Sequence, residues 1–216
     1  MPENDNEYIT PEEMRELESK ASSKGITTEF LMENAGRGIA NEIEVNFGSV
    51  VGRNVVVVAG KGNNGGDGLV TARYLVEKGA RVTVILLANP DEIRTNEAKD
   101  NWVRLDATKL VAGGVEELLK FTDMIVGATV VVAAILGTGF QGDVREPEAT
   151  AIRLINQSDG MVVAVDIPSG LDPKTGEAKN PTVRADLTVT LHRPKTGLKG
   201  NEKWTGKLVT VPIGLD

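Results

Sequence analysis

Residues 55–68 read Val55-Val56-Val57-Val58-Ala59-Gly60-Lys61-Gly62-Asn63-Asn64-Gly65-Gly66-Asp67-Gly68, and the apolar run Leu69-Val70-Thr71-Ala72-Arg73-Tyr74-Leu75-Val76 follows. Four successive valines suit a strand buried on both faces, as in a parallel sheet covered by helices. A glycine-rich turn between such a strand and a helix start admits backbone N–H groups close to an anion, because glycine accepts unusual φ and carries no Cβ. Phosphate or pyrophosphate is the expected ligand. No Gly-Lys-Ser/Thr closes the segment, which excludes a Walker loop, and Gly60-Lys61-Gly62 matches the dinucleotide fingerprint only loosely. Asn63, Asn64 and Asp67 add side-chain oxygens able to coordinate a cation or grip polar ligand groups. A capped strand-to-helix turn without a ligand is the competing account; five glycines and Asp67 within nine residues favour function.

Outward from this unit, strands are expected over 54–59, 81–87, 130–135, 161–165, 187–191 and 207–211, with helices over 66–78, 91–101, 115–120 and 148–156. That alternation predicts an α/β fold with a mostly parallel central sheet covered on both faces. Ahead of it, Thr10-Pro11-Glu12-Glu13 supplies an N-cap, a proline at the first helical position and a capping-box glutamate, so a helix should run over 11–22. Thr27 or Thr28 can cap a second helix, in which Phe30, Leu31, Ala35, Ile39, Ala40 and Ile43 recur at helical spacing. One domain is expected over 1–216, with a helical N-terminal segment at 1–48 and the α/β core at 49–216; no Pro/Ser-rich linker or internal repeat divides it.

Against 24 Lys and Arg stand 31 Asp and Glu, a formal charge of −7, which argues against a nucleic-acid surface and requires any anionic ligand to be held locally. The absence of cysteine excludes disulfides, thiolate catalysis and sulfur-based zinc sites, and suits a reducing cytoplasm. The start, Met1-Pro2-Glu3-Asn4-Asp5-Asn6-Glu7, is polar and acidic rather than signal-like, and no apolar run reaches membrane-spanning length, so a cytoplasmic location is expected.

Two more unusual turns follow strand ends: Leu136-Gly137-Thr138-Gly139-Phe140-Gln141-Gly142-Asp143 and Asp166-Ile167-Pro168-Ser169-Gly170-Leu171-Asp172. Ligands of open parallel sheets collect at the carboxyl ends of strands, so one crevice can contain all three turns. Each brings a carboxylate, Asp67, Asp143 and Asp166, and each of these also reads as a turn former or cap. Asp166, at the end of a buried strand, is a candidate general acid or base; desolvation raises and nearby donors lower such a pKa, so its direction stays open. His192, the single histidine, lacks a nucleophile motif and reads as structural or exposed. Lys195 either approaches a phosphate from the sheet edge or is an ordinary exposed lysine. Glu33 and Asn34 either line a pocket or fasten the second helix to the sheet.

Leu31-Met32-Glu33-Asn34-Ala35-Gly36, Gly62-Asn63-Asn64-Gly65-Gly66-Asp67-Gly68, Gly137-Thr138-Gly139-Phe140, Asp143-Val144-Arg145-Glu146-Pro147, the 166–172 segment and Pro194-Lys195-Thr196-Gly197-Leu198 together resemble, in order and spacing, the YjeF N-terminal domain family of NAD(P)HX epimerases. The resemblance covers nearly the whole chain. It implies a Rossmann-like three-layer α/β/α fold, a homodimer, and interconversion of the R and S epimers of NADHX and NADPHX, with a separate NAD(P)HX dehydratase as functional partner. The same fold occurs in scaffold proteins, so a nucleotide-binding or scaffold protein with weakened catalysis is the alternative.

The resemblance further implies that Asn63, Asn64, Gly65, Gly66 and Asp67, the turn Gly137, Thr138, Gly139, Phe140, Gln141, Gly142 and Asp143, and Asp166 bind substrate. Asp166 is the catalytic residue it implies, and Asn64 and Ser169 are two potassium (K+) ligands. Ala133 stands where it implies an aspartate as third ligand, and losing a carboxylate lowers the cation affinity of an oxygen cage. Loss of Asp67 is expected to weaken cofactor binding. A dehydratase activity is not expected from these 216 residues.

Overall fold

The computed structural model describes residues 8–215. The acidic start at 1–7 and Asp216 lie outside the described residues. In chain order the elements are α1 (Pro11–Ser23), α2 (Thr28–Phe47), β1 (Asn54–Ala59), α3 (Asn63–Glu77), β2 (Arg81–Leu86), α4 (Asn96–Arg104), β3 (Thr108–Val111), α5 (Val115–Leu119), α6 (Thr122–Val126), β4 (Val130–Ala134), α7 (Glu148–Ile155), β5 (Met161–Val165), β6 (Leu187–Leu191), α8 (Glu202–Thr205) and β7 (Lys207–Val211). The seven strands form one sheet in the order β3-β2-β1-β4-β5-β6-β7, every pairing parallel. Chain direction across the sheet reverses between β1 and β4, the switch point where open α/β sheets carry their crevice.

Strand residues alternate between two apolar layers. Val55, Val57, Ala59, Val132 and Ala134 pack with the helices of one face, including Ile39, Ile43, Leu69 and Leu75. Val56, Val58, Val131 and Ala133 pack with Leu118, Ile125, Ile152 and Ile155 on the other. With both faces covered, the central strands read as unbroken apolar runs. The helix starts follow their capping chemistry: Thr10 and Glu13 make both hydrogen bonds of the capping box, and the Thr27 hydroxyl accepts from the Phe30 N–H.

Three expectations are corrected. The helix expected over 91–101 is a 3-10 turn (Pro90–Glu92) followed by α4, because Asn89 and Glu92 close the first turn on themselves and Ile93 leaves it extended. The short elements β3 and α6 were not foreseen; β3 is an edge strand of half-exposed residues with little hydrophobic signal. Most relevant to the site, α3 begins at Asn63 rather than 66, so Asn63 and Asn64 form its first turn.

None of Gly60, Gly62, Gly65, Gly66 and Gly68 has positive φ. Gly62 has open space at its Cβ position, but the other four are glycines because other atoms come too close for a Cβ. At Gly60 it would sit 2.2 Å from the Ile135 carbonyl oxygen, at Gly65 1.9 Å from that of Gly60, and at Gly68 2.4 Å from the Ala134 Cβ. Gly36 plays the same part where α2 crosses α3, its Cβ position lying 2.4 Å from Val70 Cγ1 and 2.7 Å from the Thr71 backbone nitrogen. Gly36→Ala should therefore cost about 1–3 kcal/mol by overpacking, whereas Gly139→Ala, where a Cβ meets nothing within 4 Å, should stay within about 0.5 kcal/mol; urea unfolding of the two variants checks the contrast.

Candidate active site at the carboxyl edge of the sheet

Asp166 follows β5 with φ 63°, a left-handed conformation uncommon outside glycine and tolerated best by Asp and Asn. Its N–H remains bonded to the Val189 carbonyl at 2.9 Å, so the strand is held while the side chain turns across the end of β6. There Oδ1 accepts from the Thr190 hydroxyl at 3.1 Å, the Leu191 N–H at 3.0 Å and the Lys195 ammonium. Lys195 Nζ also donates to the Leu191 carbonyl at 2.8 Å, and the lysine is wholly buried. An exposed or phosphate-seeking Lys195 is thus corrected: it is the buried cation of an ion pair with Asp166. Such a pair is kept only where additional hydrogen bonds support it; here Oδ1 takes two further donors and Nζ a backbone carbonyl.

The N-terminal segment completes the burial. Ile9 pairs alongside Lys195, its N–H donating to the Pro194 carbonyl and its own carbonyl accepting from the Thr196 N–H. The strap lays α1 across the edge and brings Glu18, a residue the sequence did not single out, into the field of Asp166 and Lys195. Burial, then the Asp166 charge, raises the Glu18 carboxyl above its ordinary value.

Asp67 lies in the second turn of α3, with its residue only 9% exposed. Burial first, then the negative charges of Asp166 and Glu18, push its carboxyl well above the usual carboxylate range, and Lys195 offsets only part of this. Among the described residues no hydrogen bond or ion pair reaches that carboxyl; the Thr71 hydroxyl binds the Asp67 backbone carbonyl instead.

The other two turns meet α3 and each other. A Cβ on Gly137 would lie 3.1 Å from Asn64 Cβ, so Asn64 is seated on the β4 turn. The Ser169 hydroxyl accepts from the Leu136 N–H at 3.0 Å and donates to the Leu136 carbonyl at 3.1 Å, tying the turn after β5 to the turn after β4. The three turns therefore share one edge. The first-turn amides of α3 open onto it, because its N-cap, Gly62, has no side chain to bind them.

The candidates differ in their surroundings. Gly139, Gln141, Gly142 and Asp143 are exposed, and Asp143 acts electrostatically on Lys179. Glu33 binds Arg73 and the Tyr74 hydroxyl, fastening α2 to α3, and the Asn34 amide donates to the Ile213 carbonyl, so both serve packing. His192 takes φ 63° and donates its N–H to the Val211 carbonyl, a turn role beside β7. Two surface clefts, near Arg184 and Asp186 and near Arg81 and Asp106, lie at the opposite, amino-terminal edge and include none of the candidates.

The potassium ligands implied by the sequence can be judged by donor chemistry. Both amide atoms of Asn64 are buried without a hydrogen-bond partner, which leaves Oδ1 available to a cation. Ser169 is buried beside the Leu136 carbonyl. Ala133 is a buried methyl in the layer beneath β4, so the oxygens on offer are neutral.

The description "YjeF-related protein N-terminus" matches residues 28–197, a span containing all three turns and Lys195. The chain belongs to this family. It is 43% identical over 210 residues to the NAD(P)H-hydrate epimerase of Nitrosopumilus maritimus, covering 96% of this chain and 95% of that one. The NAD(P)H-hydrate epimerase of Cenarchaeum symbiosum matches equally, 43% over 210 residues, with 96% and 95% covered. The bifunctional NAD(P)H-hydrate repair enzyme Nnr of Pyrobaculum aerophilum is 43% identical over 97% of this chain, which spans 42% of that protein. Among solved structures, yeast ynu0, YNL200c, superposes with a TM-score of 0.76 at 26% identity, covering 88% of this chain and 82% of that one. Among the described residues no helix is long and apolar enough to cross a membrane.

Removing one member of the buried pair leaves the other uncompensated. Lys195→Met should cost about 3–5 kcal/mol, against about 1 kcal/mol or less for Arg104→Met in the exposed Arg104–Glu29 pair; denaturant titration separates them. For Asp67 the folded pKa lies above the unfolded one, so its contribution to stability is complete below the unfolded pKa and is lost as pH rises through the folded value. The melting temperature of Asp67→Asn should accordingly gain on the parent as pH is raised, and a pH-independent difference would contradict this.

Proposed function

We propose that the protein is an NAD(P)H-hydrate epimerase, interconverting the R and S forms of NADHX and NADPHX in cofactor repair. The observation that carries the reading is the Asp166–Lys195 ion pair on the carboxyl edge of the sheet, the edge onto which the uncapped first turn of α3 opens. An identity of 43% over nearly the full length of two NAD(P)H-hydrate epimerases supports it. The hydrated ring bears a hydroxyl on a carbon bonded to nitrogen. Protonating that hydroxyl lets water leave as the nitrogen lone pair forms an iminium cation, and water returning to the opposite face inverts the centre. Asp166, the carboxylate of the ion pair, stabilises the developing cation electrostatically and orients the returning water.

Substrate contacts in this reading run from Asn63 to Asp67, along the turn 137–143 and to Asp166. Potassium, held by Asn64, Ser169 and neutral backbone oxygens, would supply positive charge beside the diphosphate; the orphaned Asn64 oxygen supports that assignment. A homodimer, a cytoplasmic setting and a dehydratase acting on the product belong to the same reading, the last supported by relatives named as bifunctional repair enzymes. Ala133 favours one alternative, a ligand-binding or scaffold protein with weakened turnover.

Incubation with R-enriched NADHX, followed by chromatography of the epimer ratio with and without potassium, should show equilibration faster than the spontaneous rate. Asp166→Asn should slow it by about 10²–10⁴-fold. Binding without turnover would instead indicate the scaffold.

A further inference from the structure

The edge holds two carboxyls in opposite circumstances. Asp166 accepts three hydrogen bonds on Oδ1, one from a buried ammonium. Asp67 receives none among the described residues, lies almost fully buried, and has Asp166 and Glu18 as its negatively charged neighbours. The single cation among the charges acting on it, Lys195, is already committed to Asp166 and the Leu191 carbonyl. A largely buried carboxylate with no protein donor is costly to keep ionised, and protonation lowers that cost. With Asp166 held in an ion pair and Asp67 pushed towards its neutral form, the two carboxyls can divide acid and base roles between them.

We propose that Asp67 is the neutral carboxylic acid that delivers the proton to the departing hydroxyl, with Asp166 remaining the carboxylate throughout. The assignment rests on the epimerase reading above and adds a donor to it. In the step, the Asp67 O–H proton passes to the substrate hydroxyl, the C–O bond breaks, water leaves, and the nitrogen lone pair becomes the C=N bond. Asp67 is left ionised beside the iminium cation. Water then adds to the opposite face, the C=N electrons return to nitrogen, and the surplus proton goes back to Asp67, relayed through water where the face requires it. Protons and electrons balance over the cycle and no co-reactant is consumed.

The placement also accounts for the sequence around Asp67. Gly66 and Gly68 flank it so that α3 can lie against Met32 and Ala134, where a Cβ would come within 2.5 Å and 2.4 Å of their nearest atoms. This close seating leaves Asp67 only 9% exposed in the second turn of α3.

The test combines kinetics with spectroscopy of the carboxyl itself. Asp67→Asn preserves size and neutrality but has no acidic proton, so epimerisation at saturating substrate should fall about 10²–10⁴-fold. Infrared difference spectra of the wild-type protein near neutral pH should contain the C=O stretch of a protonated carboxylic acid, absent from Asp67→Asn and bleached as pH rises. The wild-type rate should fall over the same pH range, with Asp166, Glu18 and Lys195 as the charged groups setting that range. Wild-type turnover in Asp67→Asn, alongside loss in Asp166→Asn, would overturn the donor assignment and leave the epimerase reading standing. Failure of the wild type to equilibrate the epimers would overturn both. Should Asp67→Asn not fold, the wild-type carboxylic-acid band decides, and its absence counts against the proposal.

Discussion

A buried lysine and a largely buried aspartate, joined at the end of β6, organise the functional edge of this molecule. Burying two charges is tolerable only when their remaining hydrogen-bonding groups are satisfied, so the pair constrains everything around it. It requires the left-handed turn at Asp166, the Thr190 hydroxyl, the Leu191 N–H and the Leu191 carbonyl in fixed places. Beside it runs the Ile9 strap, paired with Lys195. The N-terminal helix is therefore part of the site's architecture, although it lies far from the Rossmann-like core in the sequence.

That constraint sets the electrostatics. With Lys195 engaged by Asp166, the positive charge near Asp67 is too little to offset burial and two negative neighbours. The same geometry thus makes one carboxyl a partner in an ion pair and leaves another without one. For a reaction that passes through a cation yet begins with a proton transfer, this asymmetry supplies both an acid and a stabilising charge within one site.

The glycine-rich segment shows how packing and chemistry share residues. Its glycines do not supply unusual φ; they let the Gly60 and Ile135 carbonyls, Ala134 and Met32 approach where a side chain would collide. Tight seating of α3 on β1 and β4 aims its uncapped first turn at the switch point and submerges Asp67 behind it. Asn64 faces the β4 turn with its polar atoms unspent, while Ala133 contributes only a methyl to the layer below.

Much of this was legible in the residues. Valine runs and turn spacing determined a parallel sheet, the Thr10-Pro11 and Thr27 caps determined where the first helices start, and three strand-end turns with an aspartate apiece pointed to the carboxyl edge. Those features are local, written in periods and caps that neighbouring residues enforce on one another. The tertiary structure alone decided that Lys195 is buried, that Glu18 acts on the site, that Asp143 is exposed, and that Asp67 rather than Asp166 lacks a partner among the described residues. Burial and pairing depend on which distant segments meet. The field at a carboxyl is a sum over charges brought together by folding, and no spacing along the chain contains it.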